Sequence, residues 1–201
     1  PTANQTLYAI WTAKSFNIAF NGNTSTSGTM SNLAMVAGTP KILTQNAFTK
    51  SGFAFENWST SPTGNGISYQ DLQLATIYSD TSTVTLYAIW SANSLTITYD
   101  SKGGTAVTSG TTTTGSSIAS APTAPTKTGY TFAGWSATDG GSAVTFAYIH
   151  GKTADFTMYA LWTAVNYTIT YSLNGGSGTA PTETTKTIGQ TFSVASIGSS
   201  Q

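Results

Sequence analysis

This chain repeats itself, and a repeating chain can fold only into units of one kind or an array of them. Thr6-Leu-Tyr-Ala-Ile-Trp11-Thr-Ala returns as Thr85-Leu-Tyr-Ala-Ile-Trp90-Ser-Ala. It returns again as Thr157-Met-Tyr-Ala-Leu-Trp162-Thr-Ala, so the tryptophans stand 79 and 72 residues apart. A second landmark keeps nearly the same period. Lys50-Ser-Gly-Phe-Ala-Phe-Glu-Asn-Trp58 matches Lys127-Thr-Gly-Tyr-Thr-Phe-Ala-Gly-Trp135. A third, Phe16-Asn-Ile-Ala-Phe20, corresponds to Leu95-Thr-Ile-Thr-Tyr99 and Tyr167-Thr-Ile-Thr-Tyr171. A chain with this pattern is expected to build small units of one kind. The landmarks divide it into the last strand of a preceding repeat (1–12), two complete repeats (13–91 and 92–163) and the front half of a third (164–201).

Within each unit the pattern is mostly that of strands. Phe16, Ile18 and Phe20 alternate with Asn17 and Ala19, and Leu95, Ile97 and Tyr99 alternate with Thr96 and Thr98, so one face of each strand is expected to be buried. Asn21-Gly22 and Gly103-Gly104 mark turns, because Asn and Gly accept positive φ cheaply. The segment 68–78 is the exception. Ser68 can cap a helix and Asp71 can complete a capping box, which predicts about two helical turns there. The segment 146–150 reads as a shorter counterpart.

Composition narrows the chemistry. Only 7% of residues are charged, against about 25% in ordinary soluble domains. The seven Lys balance seven Asp and Glu, and there is no Arg. Tracking a phosphate backbone needs clustered cations, so nucleic-acid binding is not expected. Adsorption to an anionic membrane is disfavoured for the same reason. With no Cys and one His, thiol chemistry, disulfides and the usual zinc sites are excluded. No apolar run approaches the roughly 20 residues of a spanning helix. Pro1 opens no secretory signal, so any such segment is expected to lie outside this stretch. Five Trp, ten Tyr and nine Phe are too many for a disordered polar chain.

The landmarks resemble the Listeria–Bacteroides repeat, the B-repeat type of internalin-like surface proteins. Its pattern is an alternating strand, a Gly-Gly turn, a Pro-x-Lys-x-Gly-Tyr-x-Phe-x-Gly-Trp segment and a closing Leu-Tyr-Ala-x-Trp. Residues 92–163 follow it throughout. Residues 13–91 depart from it at Asn57, which replaces Gly134, and at Asn21-Gly22-Asn23, which replaces the double Gly. The resemblance implies a mainly β (α+β) fold of small β-grasp-like (ubiquitin-like) domains, arranged head to tail. It also implies a stalk, spacer or adhesive role outside the bacterial cell. In such a domain the first and last strands run parallel and adjacent. Tension on the chain then shears the hydrogen bonds between them together.

No catalytic, cofactor or metal site is expected. His150 has no nucleophile motif beside it and reads as a surface or helix-end residue. Glu56, Asp71, Asp80, Asp100, Asp139, Asp155 and Glu183 form no close pair of the kind glycoside hydrolysis needs. They are also too sparse for a calcium loop. Lys50 and Lys127, at equivalent positions, read as solvated residues before a turn, with a Lys–Asn or Lys–Asp cross-link as the alternative. The four Asn-x-Ser/Thr triplets at Asn4, Asn23, Asn57 and Asn166 carry little weight in so Thr-rich a chain. Trp11, Trp58, Trp90, Trp135 and Trp162 are the structural anchors of the repeats. On the closing strand, Tyr8/Ile10, Tyr87/Ile89 and Tyr159/Leu161 form an apolar row where the family often places Lys. Covered, the row belongs to the domain; exposed, it is an association stripe. Three functions therefore stay open: a non-enzymatic stalk, spacer or adhesive module; a self-associating subunit of an extracellular filament or sheath; and a carbohydrate- or protein-binding module. The corresponding partners are neighbouring repeats or a second copy, or a host or surface glycan or protein.

Overall fold

The computed structural model describes residues 3–182 and 184–191. Residues 1–2, Glu183 and 192–201, which belong to the first and last segments of the repeat division, lie outside the described residues. The chain forms two compact units, Pro1–Asn93 and Ser94–Gln201. Both are built from strands, and no helix occurs among the described residues.

Unit 1 contains β1 (Ser15–Asn21), β2 (Leu33–Val36), β3 (Lys41–Ile42), β4 (Phe53–Ser59), β5 (Ser68–Tyr69), β6 (Leu74–Ala75) and β7 (Thr83–Ala92). Five of these form one sheet in the order β2-β1-β7-β4-β5, and β3 pairs with β6 separately. Unit 2 contains β8 (Ser94–Asp100), β9 (Gly110–Thr113), β10 (Ser117–Ile118), β11 (Tyr130–Ser136), β12 (Tyr148–Ile149), β13 (Phe156–Ala164), β14 (Asn166–Ile169) and β15 (Thr184–Thr187). Its main sheet runs β11-β13-β8-β9, with β10–β12 and β14–β15 as two-stranded pairs.

The two main sheets share one plan. The opening strand lies parallel to the closing strand: β1 on β7 from Asn17↔Thr83 to Asn21↔Tyr87, and β8 on β13 from Ile97↔Phe156 to Asp100↔Tyr159. The closing strand also pairs antiparallel with the Gly-aromatic-x-Phe strand, with one register slip at the same place in both units, between Phe55 and Asn57 and between Phe132 and Gly134. The expected alternation holds. Phe16, Ile18 and Phe20 of β1 and Leu95, Ile97 and Tyr99 of β8 are buried.

Each core closes on a tryptophan. Trp58 is wholly buried against Phe20, 4.8 Å between centroids, and against Phe55 at 5.1 Å. Trp135 sits the same way against Tyr99 at 4.9 Å and Phe132 at 5.5 Å. An aromatic side chain of this kind removes about 150–250 Å² from water, on the order of 4–6 kcal/mol of transfer free energy before entropy is counted. Two such anchors let units this small hold a packed centre.

The predicted helix at 68–78 is not there. Ser68 and Tyr69 pair with Ser59 and Trp58, Leu72 turns the chain at φ +58°, and Leu74 and Ala75 pair with Ile42 and Lys41. Burial alternates with period two, Ala75 and Ile77 inward and Leu74 and Tyr78 outward. Asp71 is not a helix box: its carboxylate accepts the Asn46 N–H at 2.8 Å, 25 residues back. The counterpart at 146–150 likewise contains a strand, β12 (Tyr148–Ile149), paired with β10. Mainly β therefore holds, and the α component of the expected α+β fold is absent among the described residues. A long-range strand partner satisfied backbone groups that a local cap left unsatisfied.

Candidate functional site

The corner where the opening strand turns and the closing strand ends is held by the same contacts in both units. β1 runs into a turn with two residues at positive φ, Asn23 and Thr24; β8 runs into its equivalent at Lys102 and Gly103. The half-buried closing tryptophans are pinned to these turns. Trp90 Nε1 donates to the Gly22 carbonyl and Trp162 Nε1 to the Ser101 carbonyl, both at 2.9 Å. These bonds put Gly22 and Ser101 at equivalent positions, and hence Ser25 and Gly104. Gly104 has to be glycine, because a Cβ there would stand 2.6 Å from the Trp162 ring and 3.0 Å from the Thr126 carbonyl oxygen.

A lysine caps each turn. Lys50 Nζ donates to Thr24 Oγ1 at 2.8 Å and lies 4.4 Å from the Phe53 ring centroid. Lys127 Nζ donates to the Lys102 carbonyl at 2.8 Å, with the Tyr130 ring 4.6 Å and the Trp162 ring 5.8 Å away. These lysines are thus half-buried and engaged, not solvated. A hydroxyl and a peptide carbonyl are also not the carboxamide or carboxylate that a side-chain cross-link requires. In unit 2 a second lysine joins the corner. Lys102 Nζ meets Asp139 Oδ2 at 2.7 Å and lies 5.3 Å from the Tyr159 ring. The hydrogen bond to Asp139 holds the Lys102 ammonium above its usual pKa. Sequence reasoning missed this pairing, since Asp139-Gly-Gly and Asp100-Ser-Lys-Gly-Gly looked like two separate turns.

The remaining candidates fall in different places. Trp58 and Trp135 are core, whereas Trp11 is 89% exposed. The apolar row splits the same way. Tyr87, Ile89, Tyr159 and Leu161 are half-buried, with the loop at Gly64 close over Ile89. Tyr8 and Ile10 are 84% and 95% exposed, in a segment without strand pairing. His150 is not a surface or helix-end residue. It is buried at the end of β12, where its Nδ1 accepts the Lys152 N–H at 2.9 Å, its Nε2 lies 3.3 Å from Thr112 Oγ1 and its ring packs on Phe156. Asp155 and Asp100 accept backbone N–H groups at 2.7 and 2.8 Å. Among the described residues no three His, Cys, Asp or Glu side chains gather as metal ligands. No helix among them is long and apolar enough to cross a membrane.

Fold and corner together define a class: small, charge-poor β units, each anchored by one core and one corner tryptophan. A family model for the Listeria-Bacteroides repeat domain matches residues 16–89 and 96–161, and the chain belongs to that family. The chain is 28% identical to a putative Gly-rich membrane protein of Evansella cellulosilytica, over 90% of its own length and 21% of that protein. It is 29% identical to a putative membrane protein of the same organism, over 89% of its length and 26% of the other. It is 35% identical to internalin H of Listeria monocytogenes, over 57% of its length and 20% of internalin H. The chain thus spans about a fifth to a quarter of the curated relatives it matches.

Proposed function

We propose that this chain is a non-enzymatic repeat segment of a bacterial surface protein, serving as a stalk or spacer. The observation that supports the reading is the parallel pairing of opening and closing strands in both units. Tension entering at the start of β1 and leaving at the end of β7 loads their shared hydrogen bonds side by side, so they resist as a group. In an antiparallel hairpin pulled from its open end they yield one at a time. The family and the names of its relatives, membrane proteins and an internalin, favour a location outside the cell. On this reading segments 1–12 and 164–201 are pieces of neighbouring repeats. Single-molecule pulling of the full chain tests it. High-force, all-or-none unfolding events are expected, and unfolding at forces typical of unzipped hairpins would sink the idea.

A second reading has its own observation. Leu7, Tyr8, Ile10 and Trp11 are all more than four-fifths exposed, and so apolar a stretch favours self-association into a filament or sheath. Light scattering against concentration separates the two, because an Ile10→Lys change abolishes concentration-dependent growth only if this stretch drives it.

A further inference from the structure

We propose that the recess beside Lys127 in unit 2 binds an acidic sugar, a pyranose that bears a carboxylate, as in the uronic acid units of an extracellular polysaccharide. The recess measures about 600 Å³ and is lined chiefly by Gly103, Gly104, Lys127, Tyr130, Phe132 and Trp162. That size suits a small organic ligand. Its floor is bare because the turn is Gly-Gly, so no side chain stands between the backbone and the indole.

Its charge is what selects the ligand. A lysine ammonium has three N–H donors. Among the described residues Lys127 spends one of them, on the Lys102 carbonyl, and no Asp or Glu lines the recess. The neighbouring Lys102 is already taken by Asp139. Among the described residues Lys127 is therefore a cation without a counter-ion, set beside the rings of Tyr130 and Trp162. A carboxylate complements the two free donors. The C–H face of a pyranose complements an aromatic surface, and the exposed Thr126 and Thr128 at the rim can bond sugar hydroxyls. Neither a bare anion nor a neutral sugar uses both halves of the site.

Unit 1 provides the internal comparison. There Ser25 occupies the place of Gly104, and the recess beside Lys50, lined by Pro62, Thr63 and Ile89 as well as Trp90, is only about 320 Å³. The site is thus expected once among the described residues. It is independent of the mechanical reading, since pulling and ligand titration fail separately.

The test is an NMR titration of the isotope-labelled full chain with oligogalacturonate, a neutral maltooligosaccharide of equal length, polyglutamate and inorganic phosphate. Oligogalacturonate is expected to shift the Trp162 indole signal and leave that of Trp58 in place. About 0.5 M salt is expected to weaken the binding, because a partly exposed charge pair is screened. Lys127→Gln is expected to weaken it about tenfold or more, the loss of a charge-assisted hydrogen bond, while Lys50→Gln leaves it unchanged. Equal binding of the neutral oligosaccharide, polyglutamate or phosphate overturns the proposal. So does an unmoved Trp162 signal, or an equal loss in Lys50→Gln. Should Lys127→Gln unfold the chain, the salt dependence and the Trp162 shift of the unaltered protein decide.

Discussion

At the scale of single residues, the tryptophans show how one side chain both stabilises and costs. Trp135 and Trp58 are 1% and 0% exposed, and among the described residues neither indole N–H has an acceptor. Trp135→Ala is expected to cost about 3–5 kcal/mol, the usual loss for a deleted core aromatic. Trp135→Phe keeps much of the apolar contact and removes a buried donor whose burial costs about 1–3 kcal/mol. Its loss in chemical denaturation is therefore expected to fall well below that of the alanine variant. Tyr99 gives a pH prediction. Burial raises its phenol above the usual 10.0, so above pH 10 the unfolded chain releases a proton that the folded chain keeps. Stability then falls as pH rises. The Lys102 ammonium, also raised, acts in the same direction above 10.5. Tyr99→Phe is expected to flatten the alkaline limb of the unit 2 unfolding curve, and an unchanged slope would refute it. The tryptophans and Tyr99 were legible in sequence because they recur at fixed spacing. The burial of His150 was not legible, since its contacts are Thr112 on β9 and Phe156 on β13. Nothing local in Tyr148-Ile-His150 announces either partner.

At the scale of elements, the period-two strands were readable and the segment around Leu72 was misread. The physical reason is competition between local and distant partners. Ser68 and Asp71 offered a helix start, but Trp58, Ser59 and Asn46 offered partners to the same groups. A two-turn helix is marginal alone, so the distant partners won. The two alternatives predict opposite signs for one substitution. Leu72 is 52% exposed and sits at φ +58°, a conformation that costs a non-glycine residue roughly 1–2 kcal/mol. Leu72→Gly is therefore expected to raise stability by about 0.5–1 kcal/mol in thermal or chemical unfolding. In a helix the same change would lower it by a similar amount. A destabilised Leu72→Gly would mean that the turn does not form as described.

At the scale of the whole chain, the proposed stalk role makes each unit a clamp whose strength is set by its parallel strand pair, and the two pairs differ. The β1–β7 register joins five residue pairs and the β8–β13 register four. When a sheared ladder yields as a group, the shorter ladder yields first. Unit 2 is therefore expected to open at the lower force. The steps also differ in length. The strands of unit 1 enclose residues 15–92 and those of unit 2 residues 94–164. At roughly 3.4 Å per extended residue these release about 26 and 24 nm, less the folded span. The weaker event should carry the shorter step. A flexible Gly-Ser insertion at the exposed Asn65 loop of unit 1 lengthens the stronger event alone and so assigns the two without ambiguity. If the insertion instead lengthens the weaker event, the count of parallel pairs does not set the resistance. The strength of these units would then lie in their tryptophan-centred cores, and Trp58→Phe would lower the force where a change in the β1–β7 ladder would not.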